Sequence, residues 1–394
     1  MLSASVFAAG PELRPDHPDQ YVVKRGDTLW DISAKFLKSP WYWPEIWQAN
    51  PQIENPHLIY PGDVISLVYI DGKPHLVINQ AASTPAAAQD TGPRMRDEGP
   101  SDAIAPVPLS DIKGFLDRPR ILTEDEFMKA PYVVALEEDR LRGTGMQLAY
   151  VRQLDPAVAV GTRYVVARPT LVYTEVPERY PWQGIPKKVV AETWSRERVV
   201  TLGNFWHWAF RNWAYEAYTE VLGYELLEIG SAVVARHAED SKEAGTVYLS
   251  YSDMEVKAGD LLVPVEEEPF DLSYVPHAPK AVPENMRVIA FTDAFTAVGT
   301  RQVVVLSKGD KDGIENGQVY SLWQPGEKIR DRVGYPEGDL KAWVSVRKRN
   351  VVLPEEFIGH VMIFRTFHGV SYGLVMNAVK PVNLKDLARE PTEL

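Results

Sequence analysis

Cysteine is missing from all 394 residues. That excludes a disulfide framework, a Cys-ligated zinc site and a thiol nucleophile. Papain-like peptidase and the usual L,D-transpeptidase chemistry go with it. An excess of basic charge is missing too. Lys and Arg number 42 against 54 Asp and Glu, a net charge of −12, which argues against nucleic acid or an anionic membrane surface as the main partner. No apolar run reaches the roughly 18–20 residues of a transmembrane helix. The 8 His residues form no H-x-H or H-E-x-x-H spacing. No G-x-S-x-G motif, and no S-x-x-K with its partners, is visible. Asp310-Lys-Asp312-Gly313 has its Gly too early for a calcium loop and Ser321 at the closing position, so it reads as a turn. A glycosidase carboxylate pair needs no fixed spacing and stays open as an alternative. Catalytic residues, metal ligands and cofactors are accordingly expected to be none.

What is present divides the chain by composition. At the start, Val6 and Ala8 sit like the small residues of a cleavage site, without a basic n-region and with little of an apolar core. Residues 1–20 therefore read as a signal-peptide remnant, cut after Ala8 or Ala9, and a tail; a disordered apolar start is the alternative. Residues 21–69 are compact and aromatic, and 70–109 form an Ala/Pro-rich linker. About thirty such residues reach roughly 30 Å without fixing orientation. Residues 110–265 form a middle β-rich domain, 266–286 a Pro-rich linker and 287–394 a C-terminal β-rich domain. Ser110 is placed to cap a short helix through Leu116, and Thr123 with Glu126 makes a capping box. Trp206, Phe210, Trp213 and Ala217 recur at helical spacing within an aromatic segment, 205–218. Elsewhere short alternating apolar segments separated by Gly turns predict small antiparallel barrel or sandwich modules. The fold class is α+β, mainly β.

Two phrases repeat. Val256-Lys-Ala-Gly-Asp-Leu pairs with Ile314-Glu-Asn-Gly-Gln-Val, and Ile229-Gly-Ser-Ala-Val-Val pairs with Ile358-Gly-His-Val-Met-Ile. They suggest two related β modules.

The N-terminal module reads β-α-α-β. Tyr21-Val-Val is a strand, Gly26 turns the chain, and Asp27 or Thr28 caps a helix whose Leu29, Ile32, Phe36 and Leu37 share one face. Pro44 suits the first turn of a second helix, Asn50-Pro51 ends it, and Pro61-Gly62 turns into a closing strand. Tyr21-x-Val-x-x-Gly-Asp-Thr-Leu-Trp-x-Ile-Ser, Asn50-Pro51 and Leu58-Ile-Tyr-Pro-Gly-Asp-x-Ile together resemble a LysM domain. The resemblance implies binding of N-acetylglucosamine-containing glycans, notably peptidoglycan. It places the groove between Gly26, Asp27, Thr28 and Leu29 on one side and Asn50, Pro51, Ile53, Leu58 and Ile59 on the other. A neutral sugar suits this module, whose four basic residues are nearly balanced by five acidic ones. An acetamido group is met by backbone N–H and C=O groups and a small apolar wall. Asp27 taken alone reads as a turn residue. Trp30, Trp41, Trp43 and Trp47 exceed what such a module usually carries; Trp30 and Trp47 read as core, Trp41 or Trp43 as surface contacts.

The layout as a whole is similar to the type IV pilus secretin-associated protein family, which joins a LysM domain to a region like the C-terminal domain of flagellar assembly protein T. Trp41-Tyr-Trp-Pro-Glu-Ile-Trp, Ala130-Pro-Tyr-Val-Val-Ala, Ile329-Arg-Asp-Arg-Val and Gly359-His-Val-Met-Ile-Phe-Arg-Thr-Phe carry the likeness. It implies a non-catalytic periplasmic protein, cell-wall associated and near the outer membrane, that tethers an outer-membrane secretin to peptidoglycan. A ring-like oligomer with the secretin would follow, with no nucleic-acid partner. The alternatives are a peptidoglycan hydrolase and a flagellar or envelope assembly factor.

Overall fold

The computed structural model describes residues 11–47, 59–70, 73–79, 119–137, 142–143, 145–177, 187–193, 220–240, 242–265, 275–292, 296–334 and 350–392. The helix expected after Ser110 and the aromatic segment 205–218 lie outside them. Among the described residues the chain is mainly β, and no helix is long and apolar enough to cross a membrane.

The N-terminal unit holds β1 (Gln20–Val22), α1 (Leu29–Phe36), a 3-10 turn (Pro40–Tyr42), α2 (Trp43–Trp47), β2 (Val64–Ile70) and β3 (Lys73–Asn79). Its antiparallel sheet runs β1-β2-β3. β3 corrects the expectation that a linker begins at residue 70. Lys73–Asn79 carries the apolar run Leu76-Val-Ile, pairs with β2 along its whole length and buries Leu76 in the core. Leu29, Ile32, Phe36 and Leu37 do share the buried face, joined by Val23, Trp43, Ile46, Ile59 and Ile65.

Next come β4 (Pro119–Leu122) and α3 (Glu124–Lys129), the latter opened by the Thr123–Glu126 capping box. The strands β5 (Tyr132–Leu136), β6 (Gln147–Arg152), β7 (Arg163–Pro177), β8 (Lys187–Thr193), β9 (Glu220–Arg236), β10 (Gly245–Ser252) and β11 (Leu261–Pro264) follow. Pairings run β5-β6-β10-β9-β7-β11, and β11 returns to β5. We call this closed circuit ring one. β7 and β9 continue beyond it as long strands flanked by β8 and β4.

Ring two uses β12 (Val288–Phe291), β14 (Val303–Leu306), β15 (Val319–Gln324), β18 (Glu356–Thr366), β19 (Ser371–Ala378) and β21 (Leu387–Arg389). Short pairs β13 (Ala297–Val298) with β20 (Val382–Asn383), and β16 (Lys328–Arg330) with β17 (Asn350–Val352), decorate it. The circuit is β12-β14-β19-β18-β15-β21, closed by the Arg287–Leu387 bridge and the Ala388 N–H donated to Met286. Met286 is buried in this core, so the expected linker 266–286 gives its last residues to the ring.

The two circuits have one topology. Numbering each ring's strands one to six, both run 1-2-5-4-3-6. The register agrees as well. Tyr164 faces Ala232 where Tyr320 faces Val361, and Val166 faces Gly230 where Leu322 faces Gly359. The Gly161 N–H donates to Val234 at 2.8 Å and the Gly317 N–H to Ile363 at 2.7 Å; both glycines have positive φ. The sequence pairing of Ile229-Gly with Ile358-Gly therefore holds. The other pairing does not. Val256-Lys-Ala-Gly-Asp-Leu leads into the sixth strand of ring one, and its counterpart is Val382-Asn-Leu-Lys-Asp-Leu, whose Lys385 takes up the left-handed turn that Gly259 makes. Ile314-Glu-Asn-Gly leads into a third strand and matches Val158-Ala-Val-Gly.

One difference between the rings is electrostatic. Asp260 and Asp386 occupy equivalent buried positions, each accepting the N–H three residues back. Asp260 is met by Arg168. Leu261 faces Ala167 and Leu387 faces Trp323, so ring two has Gln324 where Arg168 stands. Without that cation, burial pushes the Asp386 carboxyl from 3.8 up to about 6. A folded-state value above the unfolded one favours the folded chain below pH 3.8, and this contribution is lost as pH rises through about 6. Thermal unfolding should therefore show up to roughly 3 kcal/mol of stability lost across that window, at about 1.4 kcal/mol per unit. Asp386→Asn should flatten it, as should Gln324→Arg by supplying the guanidinium. An unchanged profile in both variants would assign the dependence elsewhere.

The rings touch through the long strands. Tyr173 on β7 and Tyr372 on β19, both fully buried, donate to the Glu225 carboxylate on β9, Tyr372 at 3.2 Å. Burial, reinforced by that carboxylate, holds both phenols protonated. Gly369 lies against Leu222 so closely that an added Cβ would stand 2.5 Å from its carbonyl oxygen.

Candidate functional site

Two turns of the N-terminal unit have the same build. In Lys24–Asp27 and Tyr60–Asp63 the third residue is glycine with φ of +91° (Gly26) and +100° (Gly62). The aspartate carboxylate then accepts the N–H of the first residue, at 2.8 Å in Lys24–Asp27 and 2.9 Å in Tyr60–Asp63. Space around Gly26 is open, so its backbone conformation is what requires glycine. The turns are laced side by side: Val23 N–H donates to Asp63, and Gly62 N–H to Val23, each at 2.8 Å.

The predicted residues separate by role on this frame. Asp27 also accepts from the Tyr21 hydroxyl at 2.8 Å. Burial, with Asp27 second, pushes that hydroxyl up to about 12. Asp27 is a clamp for the turn, as its residue type alone suggested. Thr28 caps α1: its Oγ1 accepts the Asp31 N–H at 3.1 Å and donates to Asp31 Oδ2 at 2.9 Å. Leu29 and Ile59 are 1% and 0% exposed. Their side chains are core, and only their backbone groups can face a ligand. Asn50, Pro51, Ile53 and Leu58 lie outside the described residues. The structure thus brings Gly26, Asp27 and Thr28 beside the Ile59–Asp63 end of the second wall.

The tryptophans depart from expectation. Trp43 is in the module's own core, and Trp41 is as buried as Trp30. Neither Trp41 nor Trp43 is a surface contact. Trp30 and Trp41 instead join a cluster with ring-two residues including Leu374 and Met376. The Trp41 ring packs against His360 with centroids 4.9 Å apart and the planes tilted by 55°, and burial keeps the His360 ring below its usual basicity. Arg301 of ring two reaches Asp31 Oδ2 at 3.3 Å. No local sequence signal announces these contacts, because they join residues 270 or more positions apart.

This turn geometry and order of elements coincide with a match to the LysM domain family over residues 21–68. Residues 21–68 are a LysM domain. LysM domains bind peptidoglycan and related N-acetylglucosamine glycans, which points to an extracytoplasmic, cell-wall-associated protein. A stretch of 60 residues is also 37% identical to the uncharacterized protein YqbP of Bacillus subtilis, covering 13% of this chain and 27% of that protein. The match thus spans about a quarter of that relative's length. The two turns carry backbone donors and acceptors of the kind that suits a neutral sugar, and Thr28, 5% exposed, has its hydroxyl committed to Asp31 except for one lone pair. Among the described residues no group of three or more His, Asp or Glu could hold a metal ion.

Proposed function

We propose that the chain is a non-catalytic periplasmic anchor that grips peptidoglycan through its LysM domain and tethers an outer-membrane secretin of type IV pilus type through its two rings. The observation that carries the wall-binding half is the pair of laced glycine turns within the LysM match. Glycan contact is assigned to the Gly26–Leu29 wall and to the facing wall containing Asn50, Pro51, Ile53, Leu58 and Ile59. The secretin half rests on the layout: a LysM domain followed by two closed strand circuits, which support reading the β region as small barrels of the flagellar assembly protein T kind. Domain limits then follow the circuits, with the LysM unit extended through β3.

The intact 394-residue chain should co-sediment with purified sacculi and with detergent-solubilised secretin. Thr28→Ala removes the hydroxyl and with it the cap of α1, which costs about 1 kcal/mol of stability; in the folded variant it should weaken sacculus binding about threefold to tenfold, the worth of one hydrogen bond, and leave secretin capture intact. Ile59→Ala is unsuitable for this purpose, since it opens a cavity in the core. Sacculus binding that survives Thr28→Ala unchanged would move the groove. Lysis of the sacculi by the purified protein would replace the anchor with a hydrolase.

A further inference from the structure

The glycan-facing turn is not finished by the LysM domain alone. Thr28 Oγ1 donates to Asp31 Oδ2, and the same oxygen accepts Nη2 of Arg301 from ring two. One carboxylate oxygen thus links the groove wall to another part of the chain. Behind it the LysM domain is seated on ring two by Trp30 and Trp41, with Trp41 on His360. Comparison of the rings shows how Arg301 comes to be there. Its counterpart in ring one is Met146: both precede the second strand, both have left-handed φ (+65° and +67°), and both donate their N–H to the equivalent residue of the fifth strand, Val375 or Leu249. Ring architecture therefore supplies the unusual backbone at this point, and it projects the side chain outward; Met146 is 80% exposed. Ring two places there a cation that meets the LysM domain, and ring one does not.

We infer that Arg301 is a positioning residue of the glycan site: through Asp31 it holds the Thr28 hydroxyl and the first turn of α1 in binding geometry, so that ring two is part of the glycan-binding apparatus. This rests on assigning the glycan to the Gly26–Leu29 wall. A hydroxyl whose proton is directed at a fixed carboxylate presents its remaining lone pair in one direction, which is worth most when the ligand offers a single acetamido N–H. Losing the guanidinium lets the Asp31 carboxylate turn to solvent and the hydroxyl rotate.

The test is calorimetric titration of the full chain with a tetramer of N-acetylglucosamine. Arg301→Ala should bind about fivefold more weakly with its thermal midpoint within about 2 °C of the parent, Arg301→Lys should recover most of the loss, and Asp31→Asn should weaken binding similarly. Because Arg301 acts through Asp31, the double variant should be no weaker than either single one. Unchanged affinity in Arg301→Ala, or losses that simply add in the double variant, would overturn the inference while leaving the groove assignment standing. A parent protein that does not bind the tetramer would overturn the groove assignment, and this inference with it.

Discussion

Asp260→Ala is expected to cost about 3–5 kcal/mol, measured as a shift of the urea midpoint, because it strands a guanidinium. Arg168 Nε and Nη2 donate to the two Asp260 oxygens at 2.8 Å each, and Nη2 also reaches the Glu255 carbonyl oxygen. The Asp260 side chain is 1% exposed and that of Arg168 19%. Asp260 additionally accepts the Lys257 N–H that shapes the turn into β11, the strand that closes ring one. Its removal therefore loses a bidentate ion pair, the turn bond and the anchor of the closing strand together. Asp260→Asn, which keeps one acceptor oxygen, should cost less. A midpoint moved by under 1 kcal/mol in Asp260→Ala would mean that the pair only offsets its own desolvation.

Gly359→Ala should be of similar severity for a steric reason. A Cβ there would stand 2.0 Å from the Asn377 carbonyl oxygen and 2.8 Å from the Ala378 Cα, both main-chain atoms of β19. No rotamer relieves a clash with backbone, and β18 and β19 are neighbours within a closed circuit that cannot splay at one edge. The cost should reach about 3 kcal/mol, the upper end for overpacking. Gly230, its equivalent, would meet Tyr251 in the same way at 2.4 Å. Gly313→Ala is the natural contrast: φ is +83° with nothing within 4 Å, so only the backbone penalty of roughly 1 kcal/mol applies. If the two alanine variants unfold at the same denaturant concentration, β19 yields more readily than its packing indicates.

Legibility in the sequence followed the range of the interaction. The LysM turns were readable because each is local: glycine fixes the φ, and an aspartate one residue later clamps the N–H three residues back. The capping box at Thr123 was readable for the same reason. The shared topology of the two rings is half legible. Ile229-Gly and Ile358-Gly keep their letters because a close backbone approach admits only glycine. The phrase before the sixth strand has Lys385, with φ +76° at an exposed turn, where ring one has Gly259, so by letters alone the glycine-bearing phrase at Ile314 is the better match. β3 is masked in the sequence by the Pro/Ala-rich stretch that follows it, which draws the boundary too early. By sequence Trp41 or Trp43 reads as a surface contact because aromatic faces stack on sugar rings; Trp43 fills the module's own core and Trp41 packs against ring two instead. The roughly 30 Å of free reach expected between module and rings is likewise superseded by that seating.

The seating of the LysM domain also determines how the chain would carry load. A pull applied between the glycan groove and ring two loads the Trp41–His360 contact and the Arg301–Asp31 pair directly. Both are short-range contacts, so the attachment is stiff until they part. Because the contacts that part are also those proposed to steady Thr28, their parting and the loosening of the glycan grip would be the same mechanical event.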